Sequence, residues 1–597
     1  MQDDDRACDA WHPGLNSEIP KRLLPCATLC RTENSAVDYV HAKEISELCG
    51  LEAKDAIAFR VERLIVHELL IRVTSDLTVP DGPNYEDLGI SLRSMASRIL
   101  AGYIEPQLDE IRARFVAMKN QAEDEMRRIL ATDVFARAPS ADAGSTSGGL
   151  LKRLFRTNKP PAASQDLVEL TALATWREEL GRDGDPFRMA CLRGLAAVVG
   201  GIVGRRGRLV ADPDVITAIA LNMFANTYGS EQVGKLIEPI IAQAAGGENY
   251  RFLPAQEKPF FMNVKGASAA GKSTIRPSQR ILAEKLGIPW EDFALISPDY
   301  WRKFLLDYES LGEDYKYAAM LTGQELEIID KKLDRYMERK ASNKKMPHLL
   351  IDRFRFDSFD VSQVSGKESQ LLTRFGDTVF LFFVITPPAE TVERSWKRGI
   401  MTGRYKAVDD LLYHNIEAYT GMPNLFFYSV LSTSKKIHFE FLDNGVAYGE
   451  TPKTIAFGWN GKMTILDVER LNDISRFRHV NIDATNPDEV LTDSPEQSFD
   501  FLRSCLKRIP EIKLADYETS NVYGLIRDGR WLYKDPSIVN RCKDGSLIRG
   551  CLEALGWNGL PDTANTEPPS LDIEAEQHFT LGSWGATPAK KTPRSEQ

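Results

Sequence analysis

Pro259-Phe-Phe-Met-Asn-Val-Lys-Gly-Ala-Ser-Ala-Ala-Gly-Lys-Ser-Thr274 is the stretch on which the reading of this chain turns. Its first half is apolar and aromatic enough for a buried strand over Phe260–Val264, and its second half has the spacing Gly266-x4-Gly271-Lys272-Ser273. Backbone N–H groups converge on phosphates only where the loop is built of small residues. Gly266, Ala267, Ala269, Ala270 and Gly271 supply that smallness, and Ser268 with Lys272, Ser273 and Thr274 completes the nucleotide-binding stretch. The pattern predicts a phosphate-binding loop for a Mg-nucleotide, with Lys272 reaching the β/γ oxygens and the Ser273 hydroxyl completing a Mg²⁺ shell. Pro277 removes a backbone donor from the expected helix, so the helix either kinks or restarts at Ser278.

Outward from the loop, residues 255–445 alternate short apolar runs with helical periodicity, the pattern of an α/β core with a parallel sheet. Five strands are predicted, at Phe260–Val264, Phe293–Ile296, His348–Ile351, Val379–Ile385 and Ile437–Leu442, with helices on both faces. Such sheets bind ligands beyond the carboxyl ends of their strands. After the second strand, Ser297-Pro298-Asp299-Tyr300-Trp301-Arg302 places Asp299 27 residues beyond Lys272. Two roles fit it: a general base for an acceptor hydroxyl, or a cap for the helix starting at Tyr300. After the third, Asp352 stands where a carboxylate belongs in a Mg²⁺ shell. Arg353 and Arg355 alternate there with Phe354 and Phe356, and either meet a phosphorylated acceptor or pair with Asp357 or Asp360. After the fourth, Arg394 and Arg398 share a helix face and Arg404 follows a Gly-Ile-Met-Thr-Gly turn. They either stabilise negative charge at phosphoryl transfer or face solvent with Glu390 and Glu393.

In type and order, these elements resemble the zeta-toxin family of P-loop small-molecule kinases. The residues that carry the likeness are Gly266 to Thr274, Pro298-Asp299-Tyr300-Trp301-Arg302, and Arg394-x3-Arg398 followed by Gly403-Arg404. It covers about 190 of the 597 residues. The resemblance implies a P-loop kinase-like fold, ATP and Mg²⁺ as cofactors, Asp299 as the base, and Arg398 and Arg404 on the ATP phosphates. From the residues themselves, Lys272 and Arg404 would join Asp299 in catalysis, Arg302, Arg353 and Arg355 would join it in binding the acceptor, and Ser273 and Asp352 would hold the metal, although the family usually carries a glutamate where Asp352 stands. The long spacing from P-loop to aspartate and the large helical flank look more like the plant-pathogen effector branch, which phosphorylates the 3′-hydroxyl of the adenosine ribose of NAD. Another branch phosphorylates the 3′-hydroxyl of UDP-N-acetylglucosamine. The resemblance further implies a toxin or effector, with an antitoxin or chaperone protein as candidate partner. A reading of another class is a nucleotide-gated interaction module.

Composition agrees with small-molecule chemistry: 85 acidic against 75 basic side chains give a net charge of −10, which argues against a nucleic-acid partner. Cysteines 8, 26, 30, 49, 191, 505, 542 and 551 form no Cys-x-x-Cys pair and are expected to be reduced, structural thiols. Met1-Gln-Asp-Asp-Asp-Arg6 is acidic where a secretory signal is basic, so a cytoplasmic location, bacterial or host, is expected. Gly194–Gly204 is too short to span a bilayer and predicts a buried helix with small-residue contacts. His67 reads as a packing residue.

A chain of 597 residues exceeds one core. The expected organisation is an N-terminal helical region (1–136), a flexible linker (137–166), a second helical region (167–254), the P-loop core (255–445), a smaller α+β extension (446–560) and a disordered tail (561–597). Within the first, a long helix from Asp87 to Ala131 breaks near Gly102-Tyr103; within the extension, Asn460-Gly461 predicts a hairpin, and residues 528–533 suit another.

Overall fold

Every residue of β1 (Phe260–Lys265) is buried, which requires both faces of the strand to be covered. The computed structural model describes residues 8–84, 86–135, 168–352, 372–447, 449–491, 498–536, 538, 546–559 and 569–585. The chain is α/β with a mixed sheet. Strands β2 (Phe293–Ile296), β3 (His348–Asp352), β4 (Thr378–Ile385) and β5 (Lys436–Asp443) accompany β1 in the parallel order β5-β4-β1-β3-β2. Each of the five lies where the apolar runs place it.

Among the described residues, the sheet does not stop at these five parallel strands but runs to ten. Beyond β5 the same sheet continues through β6 (Lys453–Trp459), β7 (Lys462–Ile465), β8 (Glu511–Ala515), β9 (Val522–Arg527) and β10 (Arg530–Lys534). β6 pairs antiparallel with β5, so the hairpin around Asn460-Gly461 extends the core sheet and covers what would otherwise be its open edge. The second hairpin, β9–β10, turns at Asp528 (φ 48°) and Gly529 (φ 73°). Positive φ at both central residues matches the right-handed twist of the flanking strands.

The tail is also corrected in part. Residues 569–585 are folded onto the sheet: Ser583 bridges Lys453, Trp584 lies 4.9 Å from Phe457 between ring centroids, and Leu581 and Gly582 donate backbone hydrogen bonds to Glu440. Composition missed this because a few apolar side chains, Leu581 and Trp584 among them, are enough to cover part of an apolar sheet face.

By internal packing the chain divides into two units, one of Met1–Pro20, Leu70–Ser97 and Glu248–Gln597, the other of Lys21–Leu69 and Arg98–Gly247. These limits differ from those drawn at 136, 166 and 254, and the expected linker, 137–166, lies wholly outside the described residues. In the sheet-bearing unit, the N-terminal segment is packed, with Trp11 Nε1 donating to Glu393 at 3.0 Å and Leu15 buried beside Tyr405 and Ala407.

The second unit is helical. Its core joins Ala122, Met126 and Leu130 of the helix Leu108–Asp133 to Trp176, Leu195 and Phe224. Pro186–Arg206 is long and apolar enough to cross a membrane by length and composition alone, but Cys191, Leu192, Leu195, Val198, Val199 and Ile202 are fully buried within the unit. Gly194 faces the Ala220 carbonyl so closely that a Cβ would lie 2.8 Å from its oxygen, the small-residue contact expected there. The predicted helix break falls at Leu100–Ile104, a π turn followed by a 3-10 turn over Glu105–Gln107. His67 is buried edge-on against Phe59, 4.7 Å between ring centroids. Among the described residues, the seven cysteines are free and no cluster of His, Cys, Asp and Glu suits a metal.

Candidate functional site

The register of the parallel strands assembles the site. Val264 pairs with Asp352 and Lys265 with Phe383, so the loop leaving β1 is flanked by the carboxyl ends of β3 and β4. Gly266 lies tight against β4: a Cβ there would meet the Val384 carbonyl oxygen at 2.8 Å. Gly271 turns the chain at φ 87°, in the left-handed region that glycine occupies without strain. Ala267 and Ala270 are buried, and Ala269 also takes a positive φ of 61°. The Ala270 carbonyl accepts from Thr386 Oγ1 at 2.9 Å and from Asn444 Nδ2 at 2.8 Å. Both clamps sit just after strands, β4 and β5, and the post-strand rule would have found them.

After the loop, Lys272–Ile275 form a 3-10 turn and the α-helix begins at Arg276, placing Pro277 in its first turn. The missing N–H costs nothing there, because first-turn donors have no intrahelical partner. The helix therefore neither kinks nor waits for Ser278. Thr274 Oγ1 donates to the Gly271 carbonyl at 2.7 Å. Arg276, buried, pairs with the equally buried Asp81 at 3.1 Å, and Arg280 reaches the same carboxylate at 3.2 Å.

Lys272 Nζ curls into the loop and donates to the carbonyl oxygens of Gly266 (3.1 Å) and Ala267 (2.8 Å). Burial pulls its ammonium pKa down, opposed by the charges of Asp352 and Asp299. Ser273 Oγ donates to Asp352 Oδ2 at 2.7 Å. These are two hard oxygens at the mouth of the loop, a donor set that fits Mg²⁺.

Asp299 lies within the 3-10 turn Pro298–Trp301, whose N-cap position is taken by Ser297. Its oxygens are taken by two arginines: Arg302 Nε at 3.0 Å and Arg404 Nη2 at 2.5 Å. Burial alone would raise its pKa, but Arg404, Arg302 and Arg398 outweigh that and hold the carboxyl well below the usual carboxylate range. Arg302, expected to meet an acceptor, also donates to the Ala319 carbonyl at 2.6 Å and Thr322 Oγ1 at 2.9 Å, and so acts as a support beneath Asp299. Arg394 follows the ion-pair alternative, bonding Glu390 at 2.8 Å and the Asn444 carbonyl at 2.7 Å. Arg398 donates to Ser395 Oγ at 3.2 Å and acts electrostatically on Lys272 and Asp299. Arg353 and Arg355, with Asp357 and Asp360, lie outside the described residues.

Sequence reasoning missed several charged neighbours. Lys406, two residues beyond Arg404, pairs with Asp410 at 3.2 Å and contacts His414 Nδ1; burial draws its pKa down to about 8 against the pull of Asp410. Burial, then the charges of Lys406 and Lys272, keeps His414 neutral. Arg93, Glu86, Lys303 and Tyr308 line the hollow beside Asp299 and Arg404. Nothing in the local pattern around Arg93 or Glu86 marks them, since both lie some two hundred residues before Asp299.

No protein-family model matches the chain, and no curated protein matches it in sequence. A solved chain from the PezAT chromosomal toxin–antitoxin system of the human pathogen Streptococcus pneumoniae is similar to part of it, at 19% identity and a TM-score of 0.23, covering 31% of this chain and 70% of that one. A likeness of that depth carries no argument about activity.

Proposed function

We propose that this protein is an ATP-dependent, zeta-toxin-like kinase that phosphorylates a ribose or sugar hydroxyl of a nucleotide-like small molecule. The best candidate acceptor is the 3′-hydroxyl of the adenosine ribose of NAD, and the activity is that of a toxin or effector. The observation that supports this reading is the convergence of Lys272, the Ser273–Asp352 pair and the Asp299–Arg404 pair in one charged cluster at the carboxyl ends of β1, β3 and β2. A phosphate-binding loop beside a carboxylate that is ionised at neutral pH has the parts phosphoryl transfer needs.

In this reading the loop amides and Lys272 hold the β- and γ-phosphates of ATP, and Ser273 and Asp352 would hold Mg²⁺, which supplies charge neutralisation when bound. The acceptor oxygen bonds to the γ-phosphorus as the bond from that phosphorus to the β–γ bridging oxygen breaks. ADP leaves, and the hydroxyl proton passes to Asp299 and then to solvent. Arg404 turns from Asp299 toward the transferring group, which frees the carboxylate and places a guanidinium on the developing charge.

The test is incubation with Mg-ATP and either NAD or UDP-N-acetylglucosamine, followed by mass spectrometry. NAD is expected to gain about 80 mass units, one phosphoryl group. A gain on the UDP-sugar alone would transfer the assignment to that substrate. ATP binding with no acceptor phosphorylated across a broad metabolite panel would favour the nucleotide-gated interaction module.

A further inference from the structure

The helix Asp87–Ile99 buries Leu88, Leu92, Met95, Ala96 and Ile99, which leaves Arg93 on its flank toward Tyr300 and Tyr308. Gly89 makes this approach possible: a Cβ there would lie 2.7 Å from the Tyr300 ring and 2.9 Å from the Arg93 guanidinium. Arg93 borders two adjoining hollows. The smaller reaches Asp299, Arg404 and Glu86; the larger, about 660 Å³, runs past Leu306, Tyr315 and Gly403. Lys303, Tyr308 and Thr402 line both. The larger hollow falls within the range of small-molecule sites. Asp299 lines the smaller hollow and follows β2 at the carboxyl ends of the parallel strands, the same end from which the Gly266–Thr274 loop leaves β1.

From this placement we infer that the cavity is the acceptor site, and that Arg93 and Lys303 bind the phosphate or diphosphate of a nucleotide-type acceptor whose hydroxyl is presented to Asp299. Arg93 and Lys303 line both hollows, while Asp307 and Glu309 line the larger one as well; the two cations suit a doubly charged diphosphate, and Arg93 offers the planar fork that phosphate oxygens match. Tyr308, which lines both hollows, and Tyr315, which lines the larger, provide apolar ring surface. Glu86, 3.3 Å from Lys303, balances that lysine until the anion arrives. The inference rests on the kinase reading for the word acceptor, but the binding site itself does not depend on turnover.

The experiment is isothermal titration of the full-length protein with NAD, UDP-N-acetylglucosamine, inorganic pyrophosphate and adenosine. A non-hydrolysable ATP analogue fills the P-loop throughout. Arg93→Met and Lys303→Gln are each expected to weaken the phosphate-bearing probes by roughly 10- to 100-fold, the loss of one charge-assisted contact. They should leave adenosine and the ATP analogue unchanged, and Arg93→Lys should recover part of the loss, which misfolding would not allow. Unchanged affinity for every phosphate-bearing probe in both variants, or no binding of those probes to the wild type, overturns the site. Selective weakening in a protein that transfers no phosphate would uphold the site and reject the kinase reading. NAD and the UDP-sugar arms distinguish which nucleotide the cavity prefers.

Discussion

Arg404 Nη2 lies 2.5 Å from Asp299 Oδ2, so an arginine from the turn after the helix Pro388–Thr402 closes on the carboxylate that follows β2. The pair keeps Asp299 ionised, and in the proposed reaction the same arginine must leave for the carboxylate to accept a proton. Asp299→Asn retains size and hydrogen-bonding capacity without the charge. ATP binding is expected to survive while turnover falls by roughly 10²- to 10⁴-fold. A folded variant with near-wild-type turnover would remove Asp299 from the chemistry and direct the search to Asp352 or Asp357.

Lys272→Ala and Ser273→Ala should separate charge from metal. The first removes the ammonium that the loop encloses and should weaken ATP use at any Mg²⁺ concentration. The second removes one of two paired oxygens and should chiefly raise the Mg²⁺ required. Steady-state rates across a Mg²⁺ titration distinguish them; identical Mg²⁺ curves for Ser273→Ala and wild type would argue against a metal at the Ser273–Asp352 pair.

The buried pair between Asp81 and Arg276 tethers the helix Arg276–Lys285 to the segment before residue 84. Asp81→Asn leaves a buried guanidinium without its counter-charge, at a cost of about 3–5 kcal/mol. Denaturant unfolding should show that loss, whereas Arg280→Ala, half exposed on the same carboxylate, should cost far less.

Glu440 controls a pH dependence at the tail. Burial raises its pKa, hydrogen bonds from Thr454, Gly582 and Leu581 draw it back, and the balance is about 7. Between the usual glutamate pKa and 7, the folded protein keeps a proton that the unfolded chain has released. Stability therefore falls as pH rises through that window, by on the order of 3 kcal/mol, and is level on either side. Glu440→Gln should flatten this slope. Hydrogen exchange of residues 569–585 between pH 5 and 8 is the measurement, and an equal slope in the variant would exclude Glu440 as its source.

Much of the sheet was legible because its signals are local. An apolar run of four to eight residues beside a turn marks a buried strand wherever it occurs, and β1 to β5 lie where those runs are. The Gly266-to-Thr274 spacing is equally short-range, and so is the use of Pro277, which a first helical turn accommodates. Composition was a poorer guide to the tail, since disorder statistics average over a segment while Trp584 and Leu581 act singly.

By itself, then, the sequence determined the tight Gly266-to-Thr274 loop, the parallel strands around it and the acidic and basic residues after each strand, all of which depend on neighbours within a few positions. Tertiary structure alone decided which of those charges meet. It turned Arg302 into a support, joined Arg404 to Asp299, locked Arg276 onto Asp81 and brought Arg93 and Glu86 beside the carboxylate. The reason is physical: a side chain's partners across hundreds of residues are set by which apolar faces bury against each other, and no local pattern encodes the far side of that contact.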